Sequence, residues 1–386
     1  MTAKLSVHGL LILFASSAQG QDRVSCASCS IQTQVVATLG TRDGAGALPG
    51  RPYSATVDSR GRIWLLVPGR APLLFSREGA FLREIGRIGQ GPGEFQRPSR
   101  LVAVGDSMAV FDALGAITVV GPNLEHVRTT SASPVNQTTN IAVMEWPNLV
   151  LVAGLNRRQS NAVWPLHFMH LGGATAQTLR SFGENGGVVT TESTERLLQG
   201  YPAPEQKLAR LVAASGPDAI FSVTRFTEYV VTKWDTTGTP VWRLRLESPW
   251  FPRKDTWRLG SSNVPPDARM HAVWYDSQRY LWTYAHVAAP DWQQARRAFL
   301  VQNPQAPPPP GGGIATRSAP ASSSIPQHSL YRTMIEVIDV QSRALVTRLH
   351  FSGFVLGTLP DGRFVSYRES GEGIPYVDII SATLRR

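Results

Sequence analysis

The 386-residue chain has only two cysteines, Cys26 and Cys29. A scaffold stapled by several disulfides is therefore excluded, and so is a zinc module built on four cysteines. Charged residues are sparse, at 17%. No stretch approaches the roughly 20 consecutive apolar residues that a membrane-spanning helix needs. There is no Gly-x-Ser-x-Gly elbow and no phosphate loop. Long amphipathic helices are not evident. The best short candidates are residues 192–198 and 292–301.

The first residues read as a secretory signal at 1–20. Lys4 supplies a positive start, residues 10–14 are apolar, and Ala18-Gln19-Gly20 fits a small-x-small cleavage site. The expected product is an exported protein, periplasmic or secreted. Residues 21–30 form a tail that holds Cys-Ala-Ser-Cys. In an oxidising compartment a local disulfide between Cys26 and Cys29 is plausible, with two unpaired thiols as the alternative. A c-type haem motif would need His after the second Cys, where Ser30 stands.

Basic residues number 38 against 28 acidic ones, a formal net charge of +10. That favours anionic partners in general. The arginines are scattered and form no arm of the nucleic-acid-binding kind, so nucleic acid is not the expected partner.

What the chain does have is repetition and turn residues, with 34 Gly and 28 Pro. One unit recurs six times: an apolar strand, a polar turn, a second apolar strand. The copies span 54–67, 101–111, 141–153, 211–223, 272–284 and 355–367. Gly, Asp, Asn or Pro stands at each turn, as tight turns require. A second hairpin follows five of them, at 72–85, 116–129, 164–182, 229–246 and 334–351. The sixth has one clear strand, 376–384. Two hairpins make a four-stranded sheet that cannot cover both its faces alone, and radial stacking covers them. The expected fold is all-β: one six-bladed β-propeller over residues 31–386. The unassigned strand 31–39 would complete the last blade and close the ring, removing an exposed sheet edge.

Gly86-Arg-Ile-Gly-Gln-Gly-Pro-Gly-Glu-Phe95, then Pro98 and an apolar strand, resembles the blade-to-blade connection of NHL-repeat proteins. Val57-Asp-Ser-Arg-Gly-Arg-Ile-Trp64 and Leu74-Phe-Ser-Arg-Glu-Gly-Ala-Phe81 match the same family. The later blades keep only the rhythm. The resemblance implies glycines that turn the chain between blades and an aromatic packed between them. Such propellers include lactonases, an amidating lyase and many binding modules, so the fold does not choose a function.

The enzymes of that group carry metal ligands on inner strands. Here the inner strands are expected to begin near Tyr53, Arg100, Asn140, Arg210, His271 and Gly353. Only one of these is a histidine and none is a carboxylate. Glu145, further along the third inner strand, is the lone acidic candidate. No calcium or zinc set assembles, and no cofactor is expected. In His167-Phe-Met-His170 the two histidines point to opposite faces of a strand, so a shared metal is not expected. One should pack and one should be solvated. Asn136-Gln-Thr138 matches a glycosylation sequon.

Three connections are long: 183–207, 248–270 and 290–331. The last contains a Pro/Gly/Ser-rich insert, 303–328, between the second and third strands of blade 5. All three should emerge on one face, above blades 3 to 5. Long loops are commonly functional. The middle one holds Trp257 and Arg258 beside further aromatics and cations, a composition suited to an anionic or carbohydrate ligand. The alternative is that these aromatics pin the loop to the propeller. The expected function is an exported binding or scaffold module in the envelope or outside the cell. Tyr53, Arg100, Asn140, Arg210, Trp257, Arg258 and His271 are its candidate ligand-binding residues. The alternative is a metal-assisted hydrolase or lyase at the channel mouth, using His271 and Glu145 with calcium or zinc.

Overall fold

The computed structural model describes residues 24–130, 136–144, 149–155, 164–172, 176–183, 208–251, 253–254, 257–258, 263–302 and 325–386. The expected signal residues, the helix candidate at 192–198, the turn at Pro147-Asn148 and Glu145 lie outside them.

Strand β1 (Ser30–Leu39) comes first. Blade 1 is β2 (Ser54–Val57), β3 (Ile63–Leu66), β4 (Leu73–Phe75) and β5 (Phe81–Glu84). Blade 2 is β6 (Pro98–Val104), β7 (Ser107–Asp112), β8 (Ile117–Val120) and β9 (His126–Thr130). Blade 3 is β10 (Asn136–Val143), β11 (Leu149–Leu155), β12 (Leu166–His170) and β13 (Gln177–Phe182). Blade 4 is β14 (Arg210–Ala214), β15 (Ile220–Thr224), β16 (Val230–Trp234) and β17 (Pro240–Arg245). Blade 5 is β18 (Arg269–Tyr275), β19 (Tyr280–Ala288), β20 (Tyr331–Asp339) and β21 (Ala344–Phe351). Blade 6 is β22 (Phe354–Thr358), β23 (Phe364–Glu369) and β24 (Pro375–Arg385), completed by β1. All neighbours within a blade are antiparallel, and each first strand touches the first strand of the next blade, β22 meeting β2. The molecule is a six-bladed β-propeller closed by its N-terminal strand.

Local chemistry explains the turns. Asp58 accepts from the backbone N–H of Arg60 at 3.0 Å and of Arg62 at 2.9 Å, and from the Trp64 indole at 2.9 Å. Asp276 does the same for Gln278, Arg279 and Tyr280 in blade 5. An aspartate that satisfies two or three turn N–H groups holds the chain in reversal.

Apolar side chains gather in six clusters, one at each blade interface. At the first, Trp64 and Leu74 of blade 1 meet Leu101, Met108 and Val110 of blade 2, with Phe95 between them. Gly86, which precedes Phe95, has φ +68°, and a Cβ there would lie 2.9 Å from the Phe95 ring. The glycine-rich connection thus works as its motif implies.

Helix α1 (Trp292–Gln302) lies in the long connection of blade 5, where the sequence pattern placed a helix. The short helix α2 (Gln327–Leu330) follows the insert and takes in its last two residues. Cys26 and Cys29 are joined by a disulfide, with Cα atoms 5.3 Å apart. Among the described residues no helix is long and apolar enough to cross a membrane.

Candidate functional site

First strands begin, and second strands end, on one face of the propeller. Arg51 stands just before β2, Arg100 is in β6, Arg225 directly follows β15, and Arg269 opens β18. Four blades thus send a guanidinium to the same end of the channel. Arg51, Arg100 and Arg225 are half-buried, and Arg269 is 7% exposed.

Burial, together with the charges of Arg269 and Arg100, lowers the pKa of Arg225 to about 10. Burial also lowers Arg269, with Tyr331 opposing and Arg51 adding to the shift. Burial lowers Arg100 and Arg51 in the same direction, opposed by Tyr53 and Tyr367 respectively. The four cations therefore share one field.

Their described partners are neutral. Arg269 Nη2 donates to Gln327 Oε1 at 2.7 Å and to His286 Nδ1 at 3.3 Å. Its guanidinium lies over the rings of Trp257, at 5.4 Å, and Tyr331, at 5.2 Å. Arg225 lies over Phe226 at 4.9 Å, and Arg51 over Phe354 at 5.4 Å. Among the described residues the Nε of Arg225 has no hydrogen-bond partner. Among the described residues no carboxylate forms an ion pair with Arg51, Arg225 or Arg269.

Two stacked histidines form the wall beside them. His271 and His286 have ring centroids 4.0 Å apart, and His286 stacks in turn on Phe354 at 4.1 Å. His271 Nε2 donates to Leu356 O at 3.0 Å, and His286 Nε2 to Val355 O at 2.8 Å. Each bond ties blade 5 to blade 6. Burial pushes both imidazoles well below the usual histidine range, and the nearby arginines push the same way. Both rings are neutral at pH 7. His271 Nδ1 then carries a lone pair, and it has no partner. Further round the rim, His328 of α2 meets Glu369 at 3.4 Å, and the Tyr367 hydroxyl donates to the same carboxylate at 2.6 Å.

The sequence candidates divide. Tyr53 and Arg100 lie together near the arginine group, and His271 is in it. The Tyr53 hydroxyl also donates to Pro98 O at 2.7 Å, binding blade 1 to blade 2, and Tyr53 lines a cleft of about 380 Å³ with Arg70 and Arg97. Trp257 joins the group as the ring under Arg269, its indole donating to Asp267 O at 2.9 Å. Asn140 is a blade staple, its Oδ1 accepting from Val212 N–H at 2.7 Å. Arg210 is 7% exposed and its Nη1 donates to Ala209 O at 3.1 Å. Arg258 is exposed and joined through its backbone N–H to Asp267 Oδ2 at 2.9 Å. The Trp257–Arg258 segment is thus pinned to Asp267, and Trp250 packs on Tyr229 and Phe251.

Arg51, Arg225, Arg269 and His286 were missed. The inner strand of blade 5 begins at Arg269, two residues before His271. That puts an arginine near the start of the inner strand in blades 2, 4 and 5. The signal was a repeated cation, and it is invisible to a search for metal ligands. Among the described residues no group of three or more His, Cys, Asp or Glu is placed to hold a metal ion. His167 is fully buried between Ser181 Oγ and Gly154 O, at 2.8 and 3.1 Å, while His170 is half-buried.

No family model matches the chain, and no curated protein matches its sequence. Its fold is similar to that of a Bacteroides fragilis protein inferred to be exported, with 11% identity, 95% of this chain and 98% of that one covered, and a TM-score of 0.50. Kuenenia stuttgartiensis hydrazine synthase is similar at 13% identity, 85% and 76% coverage and a TM-score of 0.45. The WD40 domain of Neurospora crassa Pan2 is similar at 7% identity, 90% and 94% coverage and a TM-score of 0.43. At these identities the likeness is one of fold alone.

Proposed function

We propose that this chain is an exported binding module whose recognition site is the arginine-lined end of the propeller channel, and that its ligand is an anion. The carrying observation is the convergence of Arg51, Arg100, Arg225 and Arg269. Like charges brought out of water together are costly. Such strained charge groups cluster at functional sites. A bound anion relieves the repulsion, and guanidinium forks fit carboxylate and phosphate oxygens. Export is supported by the signal-like residues 1–20 and by the Cys26–Cys29 bond. Trp257, from the connection between blades 4 and 5, borders this face under Arg269; most of the connection 183–207 and of the insert 303–328 lies outside the described residues. A metal-assisted reaction is less favoured, because the guanidinium groups around His271 repel a cation there.

Isothermal titration at low salt with sodium sulfate, phosphate, D-glucuronate and neutral glucose tests the reading. At least one anion should bind with one-to-one stoichiometry and glucose should not. Arg225→Met should weaken that anion about tenfold, the worth of a charged hydrogen bond. Silence with every anion, or binding that Arg225→Met leaves unchanged, would contradict it.

A further inference from the structure

The arginine group is rich in donors. Guanidinium groups donate and cannot accept. Gln327 Oε1 and His286 Nδ1 accept from Arg269, and one further acceptor stands unpaired among the described residues. His271 Nε2 is committed as a donor to Leu356 O, so the neutral ring presents Nδ1 as a lone pair. That nitrogen is buried and has no partner among the described residues, and the same holds for the donor Arg225 Nε. The backbone N–H of Met270, between Arg269 and His271, donates to Arg225 O at 2.8 Å, so Arg225 lies against the strand start that carries His271, and His271 feels the charges of Arg269, Arg225 and Arg51. Buried polar atoms of native proteins are nearly always paired, and an exception calls for an explanation.

A plain anion answers only half of this arrangement. It accepts from the arginines and has nothing to give His271. We infer that the channel mouth selects an oxyanion that carries its own hydroxyl donor: the oxyanion is held by Arg225 and Arg269 and the hydroxyl donates to His271 Nδ1. This rests on the anion-binding reading and narrows it. Two ligand sources share the chemistry. Inorganic phosphate keeps a P–O–H at neutral pH. A sugar acid offers a carboxylate beside ring hydroxyls. Sulfate and cyclohexanecarboxylate match them in shape and charge type but have no hydroxyl.

His271 is a weak base here, because burial and the arginines disfavour its protonated form. It is suited to accepting a hydrogen bond and not to removing a proton. The stacked His286 and Phe354 hold its ring in place, and the bond to Leu356 O fixes which nitrogen is bare.

The test is titration calorimetry on the full mature chain with two matched pairs: phosphate against sulfate, and D-glucuronate against cyclohexanecarboxylate. The hydroxyl-bearing member of one pair should bind about tenfold more tightly, the cost of leaving one buried acceptor unpaired. The pair that discriminates identifies the source. His271→Phe should erase the preference and leave the weaker member's affinity in place. That variant loses the bond to Leu356 and could fail to fold, so the wild type is also read directly. On binding, the ¹⁵N resonance of His271 Nδ1 should move upfield with the hydroxyl-bearing ligand and stay still with its partner. Equal affinities within both pairs, with Nδ1 unmoved, would overturn the hydroxyl selection and leave the anion site standing. No binding by any of the four would overturn both.

Discussion

Thr38 and Asp378 stand 340 positions apart in the chain and are joined by a hydrogen bond of 2.7 Å from the Thr38 hydroxyl to Asp378 Oδ1. The bond belongs to the β1–β24 ladder, which pairs Ser30 with Arg385 and Leu39 with Val377. The N-terminal strand is thus the outer edge of the last blade, and its inner residues feed the interface with blade 1. Leu39 is fully buried there against Phe75, Val365 and Val377, whereas Val35 on the same strand is 54% exposed.

Leu39→Ala should therefore lower unfolding stability by about 3 kcal/mol, the usual cost of emptying a buried leucine site. Val35→Ala should stay within about 0.5 kcal/mol. Urea unfolding of the two variants checks this. Equal effects would mean that β1 does not close the ring.

The same closure is sensitive at Gly79. This residue sits in the β4–β5 turn with φ +97°, and a Cβ would lie 2.5 Å from the Thr38 carbonyl oxygen of β1. Gly69 also has a positive φ, +72°, but nothing within 4 Å. Both alanine variants carry backbone strain of about 1 kcal/mol. Gly79→Ala should cost clearly more, because backbone must also move. Thermal melts of the pair separate the two contributions.

His167 gives a pH dependence with a definite sign. Burial lowers its pKa to about 4 from an ordinary 6.5. Below pH 6.5 the unfolded chain takes up a proton that the folded chain refuses. Stability should therefore fall as pH drops from 6.5 towards 4, by up to about 3 kcal/mol from this group. His271 and His286 act in the same direction. His167→Gln can still donate to Gly154 O, and it should flatten the acid limb relative to wild type. An unchanged pH slope in the variant would show that His167 is not buried neutral.

Arg225 should trade stability for binding. Its folded-state pKa is lowered by burial and by Arg269 and Arg100, so its charge opposes folding at every pH below about 10. That penalty fades as pH rises through 10. Discounted for its partial exposure, Arg225→Met should gain about 1 kcal/mol at pH 7 and lose anion affinity. Functional sites commonly carry such a cost. A destabilised Arg225→Met would mean that the guanidinium has a compensating partner.

The fold was legible because blades obey local rules. Turn residues recur at each hairpin, strands alternate with them, and the leftover strand at 31–39 had one place to go. The glycines and Phe95 of the first connection were readable too, since close backbone approach and a wedged ring require those residue types. The site was readable only in pieces. Arg100 and His271 were picked out by strand position, but Arg225 lies on a second strand's end, where no inner-strand search looks. A two-residue difference in where β18 begins hid Arg269. Asn140 carried the right address and turned out to be a staple, because the inner ring needs side chains that satisfy the next blade's backbone. Sequence position gives the end of the channel on which a residue stands, and not whether its side chain turns to the lumen or to a neighbouring strand.

The most direct test is a crystal of the protein soaked in sodium arsenate and measured at the arsenic edge. Arsenate carries both the oxyanion and a hydroxyl, and its anomalous signal locates it. The account predicts the strongest peak at the channel mouth, among Arg51, Arg225 and Arg269 and beside His271. Peaks confined to the outer surface, with that end of the channel empty, would contradict it.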